Sequence, residues 1–200
     1  MDAKTQKSEL TRAAIVGAAM DVASAEGLEA ITLQAVASRL GLSKSGVFSR
    51  VGSREALQKA VIEEYGRRFL ADVFVPAMQK PKGVARLNDI VERWLARMRD
   101  IEIETGCIYT AGAFELDDRE GELRDHLLAE VTRWRAALRR TVTQAIETGE
   151  LKADTDPAQL VSEINGLVIG LLHDARFLRD PRAADRAMLT WQRLLASYRA

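Results

Sequence analysis

Residues 32–50 read TLQAVASRLGLSKSGVFSR. Thr32 is a good helix N-cap, and Leu33, Val36, Ala37 and Leu40 follow it at helical spacing. Gly41 stops that helix, because a residue without Cβ can take positive φ. Ser43 can cap a second short helix, from Lys44 to about Arg50, and Val51-Gly52 break it. Two short helices joined by a glycine-containing turn are the parts of a helix-turn-helix. The small Ala37 lets the helices cross closely. Leu33, Val36, Leu42 and Val47 are the apolar anchors of that crossing, with Leu42 packed beneath the turn. The outward face is then polar, and Lys44, Ser45, Ser49 and Arg50 can reach phosphates and base edges in a major groove.

The same patterning extends outward in both directions. Residues 1–7 are expected as a loose polar arm. A first helix is expected from about Ser8 to Glu26, with Leu10, Ile15, Ala18, Ala19, Val22 and Ala25 on one face and Gly27 as its stop. Beyond the motif, Ser53 caps a long fourth helix in which Leu57, Val61, Tyr65, Phe69 and Val73 form a ridge. Pro76 and Lys80-Pro81-Lys82-Gly83 mark its end and a connecting turn. Further helices follow over 84–105, 107–115 and 120–149. Asp156-Pro157 and Asp180-Pro181 each read as N-cap plus first turn of the last two. β-branched alternation is nearly absent, so the fold class expected is all-α, with about nine helices. The expected domains are a helix-turn-helix domain over 8–53, a connecting helix over 54–79, and a helical body for ligand binding and dimerisation over 83–200.

Charge narrows the partner. The 200 residues carry 29 Lys and Arg against 29 Asp and Glu, a net charge of zero. Binding to an acidic polymer depends on a local patch, however, and not on the sum. From Ala30 to Lys59 the charges are Arg39, Lys44, Arg50, Arg54 and Lys59 against Glu55 alone. Acidic residues concentrate later, as in Glu102, Glu104, Glu115, Asp117, Asp118, Glu120 and Glu122. The single cysteine, Cys107, cannot form a disulfide within the chain, which fits a reducing cytoplasm. The first seven residues hold no apolar h-region, so no signal peptide is expected. The longest apolar run, Gly166 to Leu172, is too short to span a bilayer, so no membrane partner is expected.

The residues from Ser8 to Tyr65 resemble the TetR family of bacterial transcription regulators. The resemblance is carried by Thr11-Arg12, Ile15, Ala18-Ala19, Gly27, Thr32, Val36-Ala37, Gly41-Leu42-Ser43 and Ser53-Arg54-Glu55-Ala56-Leu57. After Tyr65 it rests on helix count and order only. The family usually ends its recognition helix with Tyr-x-His-Phe, where this chain has Phe48-Ser49-Arg50-Val51. Losing the tyrosine hydroxyl removes one phosphate hydrogen bond, about 0.5–1.5 kcal/mol. Arg50 adds a permanent charge that offsets it. The resemblance implies phosphate-positioning roles for Thr32, Ser43, Phe48 (by packing) and Arg54, and base-edge or groove roles for Lys44, Ser45, Ser49 and Arg50.

It also implies a homodimer, most often a repressor, released from a palindromic double-stranded DNA operator by a small-molecule effector. The two recognition helices would then stand about one DNA turn, roughly 34 Å, apart. The eighth and ninth helices are the expected dimer interface, through Ile164, Leu167, Gly170, Leu171, Trp191 and Leu195. Gly166 and Gly170 would let a partner backbone approach. An effector pocket is expected between the fifth to eighth helices, walled by Trp94, Met98, Cys107, Tyr109, Phe114, Trp134 and His173. Glu115, His126 and His173 are its candidate orienting groups. The expected coupling is a shift of the fourth helix on ligand binding.

Three alternatives stand beside this reading. One is a ligand-independent or thiol-responsive regulator working through Cys107. Another is a small all-α enzyme, for instance with Cys107, His126 and Asp125. The last is a protein-interaction bundle. The chain has no zinc-binding His-Glu-x-x-His, paired cysteines, phosphate-binding glycine loop or Gly-x-Ser-x-Gly, so no catalytic residue, metal or cofactor is expected.

Overall fold

The structure, a computed structural model, describes residues 3–200 and is helical almost throughout. Among the described residues there are nine helical rods. They are α1 (Ala3–Glu26), α2 (Leu33–Leu40), α3 (Lys44–Val51), α4 (54–77), α5 (84–105), α6 (Ile108–Glu115), α7 (Glu122–Glu147), α8 (157–177) and α9 (Ala183–Tyr198). A 3₁₀ turn, Leu28–Ala30, lies between α1 and α2. The all-α expectation and the helix count therefore hold. The expected arm does not. Met1 and Asp2 lie outside the described residues, and from Ala3 onward the chain is already helical. Ala3 to Lys7 contain no glycine or proline, and Ala, Lys and Gln are good helix formers, so nothing delays the helix to Ser8.

The chain divides into two compact units. The first holds the residues up to Arg67 together with Cys107–Glu130, and the second holds Arg68–Gly106 with Val131–Ala200. The segment Cys107–Glu130, expected as part of a body over 83–200, thus groups with the helix-turn-helix. The helices α4 and α7 each contribute residues to both units.

In the first unit, hydroxyls set the helix starts. Thr32 Oγ1 accepts from Ala35 N at 3.0 Å, Ser43 Oγ from Gly46 N at 3.0 Å, and Ser53 Oγ from Ala56 N at 3.0 Å. Each satisfies one amide that the first helical turn leaves unpaired. Gly41 is left-handed at φ 64°, and Leu42 N bonds back to Ala37 O at 2.9 Å. Ala37, Val36 and Val47 are fully buried, and Leu33 nearly so. Leu42 does not pack beneath the turn as expected: it is 39% exposed, because Val36, Ala37 and Val47 already fill the crossing.

In the second unit three of the rods contain π-turns: Leu70–Phe74 in α4, Met98–Glu102 in α5 and His173–Phe177 in α8. Their polar groups converge. Buried Arg97 donates to Glu102 Oε1 at 2.9 Å and to the Asp72 carboxylate. Arg176 donates to the carbonyls of Ile103 and Glu104 at 2.7 and 2.9 Å. Next to this network Phe69, Phe74, Trp94 and Trp134 pack edge to face, with Phe69 and Trp134 centroids 4.7 Å apart and Trp94 and Trp134 5.2 Å apart.

Asp156 caps α8 as expected, accepting from Ala158 N at 2.8 Å ahead of Pro157. The matching signal at Asp180-Pro181 ends differently. Asp180 accepts from Arg182 N at 2.9 Å in a turn, and α9 starts at Ala183.

The dimer-interface expectation meets the largest correction. Ile164 and Trp191 are fully buried within this chain, and Leu171 and Leu195 are 3% and 5% exposed. Trp191 also donates from Nε1 to Asn88 Oδ1 at 2.9 Å. These four side chains are intramolecular core. Leu167 is half-buried, and Gly170 is exposed. The wide apolar girth of α8 serves two faces. Leu160, Val161, Ile164, Val168, Leu171 and Leu172 turn inward, while Ser162, Gly166, Ile169, Gly170, His173 and Phe177 form an outer stripe.

Candidate nucleic-acid interface

The geometry of α2 and α3 leaves one face of α3 to solvent. Lys44, Ser45, Phe48, Ser49 and Arg50 are all exposed on it. Ser45, Phe48 and Ser49 sit on the side away from buried Val47, and Lys44 and Arg50, three residues before and after it, flank that side. Ser49 donates to Gly46 O at 2.9 Å, and Ser45 Oγ lies 3.1 Å from Ser43 Oγ. Phe48 is 56% exposed, which leaves its ring open to pack against a partner. An aromatic ring left in water on a polar face presents an apolar contact surface, of the kind a thymine methyl offers a partner for.

The positive patch is smaller in space than in sequence. Arg39 lies 3.6 Å from Glu26, and Lys59 pairs with Glu122 at 2.6 Å. The hydrogen bond from Lys59 holds the Glu122 carboxyl below the usual carboxylate range. Arg54 turns inward: its Nε donates to Ile31 O at 2.8 Å and its terminal nitrogen to Glu29 O at 2.6 Å, beside the Glu29 carboxylate. It serves as a clamp on the turn before α2, and the expected phosphate role has to compete with those bonds. Among the described residues, Lys44 and Arg50 are the motif cations for which no ion pair is formed. Thr32 and Ser43 use their hydroxyls as caps.

The expected pocket residues divide. Trp94, Met98 and Trp134 are buried in the second unit, and neither indole Nε1–H finds an acceptor among the described residues. Phe69 and Phe74, absent from the expected wall, complete that aromatic group. Cys107 and Tyr109 lie in the first unit with Tyr65. Tyr65 Oη is 3.0 Å from Cys107 Sγ, the two tyrosine rings are 4.7 Å apart, and the thiol is 6% exposed.

Three of the expected pocket residues stand elsewhere. Phe114 is 63% exposed. His173 is exposed and paired with Asp174 at 3.0 Å, on the outer stripe of α8. Glu115 spends both carboxylate oxygens on backbone amides, those of Leu28 at 2.8 Å and Glu29 at 2.7 Å. His126 Nε2 lies 3.5 Å from Glu63, and Asp125 faces Arg124 at 3.7 Å. Gln58, which sequence reasoning passed over, is 2% exposed and donates to Leu28 O at 2.8 Å. A glutamine in a row of otherwise apolar inward positions of α4 was the available signal.

A helix-turn-helix with a solvent-facing second helix defines a DNA-binding regulator. Family models agree over both parts of the chain. Residues 15–61 match "Bacterial regulatory proteins, tetR family", and residues 83–191 match "Tetracyclin repressor-like, C-terminal domain". The chain belongs to the TetR family of transcription regulators. It is similar to the HTH-type transcriptional regulator SrpR of Pseudomonas putida, 22% identical over 181 residues that cover 88% of this chain and 80% of SrpR. Among solved structures it is similar to a TetR-family regulator from Cytophaga hutchinsonii, with a TM-score of 0.81, 20% identity and 97% of each chain covered. It is also similar to AibR, solved with isovaleryl coenzyme A and operator DNA, with a TM-score of 0.68, 21% identity, and 87% of this chain and 94% of that one covered. No helix among the described residues is long and apolar enough to cross a membrane.

Proposed function

We propose that this chain is a homodimeric repressor that binds a palindromic DNA operator through α3 and leaves it when a small molecule occupies the second unit. The observation that carries the reading is the exposed face of α3, where Lys44 and Arg50 keep their charges uncommitted beside Ser45, Phe48 and Ser49. Arginine and lysine there would take guanine edges or phosphates, and Phe48 a thymine methyl.

The dimer is supported by the outer stripe of α8 and its neighbour on α9. Ile169 is 42% exposed, Phe177 77% and Leu189 46%. A Cβ on Gly166 or Gly170 would meet nothing within 4 Å, so a second backbone can come close there. Apolar groups in such a row favour burial against a second copy. The effector is supported by Trp94 and Trp134. Two buried indole donors without acceptors, set among aromatic faces, suit an apolar ligand that carries an acceptor oxygen. The AibR complex, with an acyl thioester and operator DNA, offers a parallel for both halves of the reading.

The test is selection of duplexes from a random pool by the full chain, with sedimentation of the protein alone. An inverted repeat with half-site centres about 10 base pairs apart, or a multiple, is expected, bound by a dimer that Ile169→Asp dissociates. Enrichment of no common sequence, or a monomer at binding concentrations, contradicts the proposal.

A further inference from the structure

We infer that Glu115 is a positioning residue for operator recognition: its carboxylate, at the end of α6, fixes the turn from which the helix-turn-helix departs. The inference rests on the DNA-binding reading and concerns what holds the motif in register.

The turn Leu28–Ala30 receives no side-chain cap from its own leading residue, Gly27. Its first amides would be orphaned if left to themselves. Both are taken by Glu115, from 87 and 86 residues away. The fit is close. Gly27 sits at φ 94°, and a Cβ there would come within 2.9 Å of Glu115 Oε2, so the carboxylate fills space that only glycine leaves. One turn earlier on α6, a Cβ on Gly112 would lie 2.7 Å from Leu28 Cδ1. The helix α6 therefore touches this turn at two successive levels.

The carbonyls of the same turn are held from α4. Gln58 donates to Leu28 O, and Arg54 donates to Glu29 O and Ile31 O. Ile31 precedes Thr32, whose hydroxyl caps α2. The donors of the turn are thus fixed by α6 and its acceptors by α4, and α2 with α3 departs from the fixed point. Glu115 touches no group that faces DNA. Its loss frees the origin of the motif while the contacting face of α3 stays chemically whole. Withdrawal of α6 would have the same consequence, which makes this pair of hydrogen bonds a place where regulation of DNA binding can act.

The experiment compares full-length wild type, Glu115→Gln and Glu115→Ala. Each is titrated with the selected duplex and with a random duplex of equal length at one salt concentration. Melting temperature and amide exchange at Leu28 and Glu29 are followed in parallel. Glu115→Ala is expected to lose about tenfold or more in affinity for the selected duplex. Binding to random duplex depends on phosphate charge and is expected to stay within about twofold. Glu115→Gln keeps one acceptor and the volume, so it should fall between, and it answers the question should the alanine variant not fold. Both amides should exchange faster in each variant. Unchanged preference for the selected duplex overturns the inference, and so does an equal loss on both duplexes that follows the melting temperature. A wild-type chain that prefers no duplex fails the DNA-binding reading and takes this inference with it. A wild-type preference that survives Glu115→Ala fails this inference alone.

Discussion

The helix starts of the helix-turn-helix and the packed interior of the second unit satisfy their polar groups at different ranges. In the first, Thr32, Ser43 and Ser53 each cap a helix from three positions away. In the second, Trp191 bonds to Asn88 across 103 residues and Arg97 to Asp72 across 25. Local caps leave side chains at other positions of a short helix unengaged, so α3 can turn five of them to solvent. Long-range bonds and edge-to-face rings tie side chains into one packed body, where a change at one is felt by many. A surface meant to meet a partner benefits from the first arrangement, and a frame that must hold shape benefits from the second.

That contrast can be broken by substitution. The largest effect is expected from Trp191→Ala, which empties a fully buried site and removes the bond to Asn88. It should cost about 3–5 kcal/mol in urea or guanidinium unfolding. A loss as small as that of a surface substitution would mean that the second unit is not packed as described. Next comes the pair Lys44→Ala and Arg50→Ala. Each should cost about 1–3 kcal/mol of operator affinity if it meets a base edge, or lower the slope of log affinity against log salt by about one if it meets a phosphate. Stability should move by no more than about 0.5 kcal/mol, since both side chains are exposed. Unchanged DNA binding would favour a protein-interaction surface instead. The smallest effect is Ser43→Ala, which removes the cap on α3 and should lower stability by about 0.5–2 kcal/mol in thermal melts. A neutral result there would show that α3 starts without its cap.

The contrast also governs what could be read from the sequence. Thr32, Gly41, Ser43, Gly52 and Asp156 act on neighbours within a few residues, and each stands in the structure where its type and offset put it. The inward bonds of Arg54 carry no local sign, because its acceptors, Ile31 O and Glu29 O, lie 23 and 25 residues back. The same holds for Glu115, a candidate orienting group by sequence, whose amide partners lie 87 and 86 residues away. Periodicity marked α8 as apolar on more than one side, yet it could not say which side this chain covers itself. Packing assigned Ile164 and Leu171 inward and left Ile169 and Gly170 outward. The π-turns have no residue signature at all. Nothing in the sequence marks Asp72, Arg97 and Glu102 for the contacts they make beside the π-turns.

The central claim is that the exposed face of α3 meets duplex DNA. Amide chemical shifts of the labelled full chain, recorded as the selected duplex is added, test it most directly. The largest perturbations are expected at Lys44, Ser45, Phe48, Ser49 and Arg50, with Val36 and Trp191 nearly still. Perturbations centred on α8 and α9, with those five amides unmoved at saturation, would contradict it.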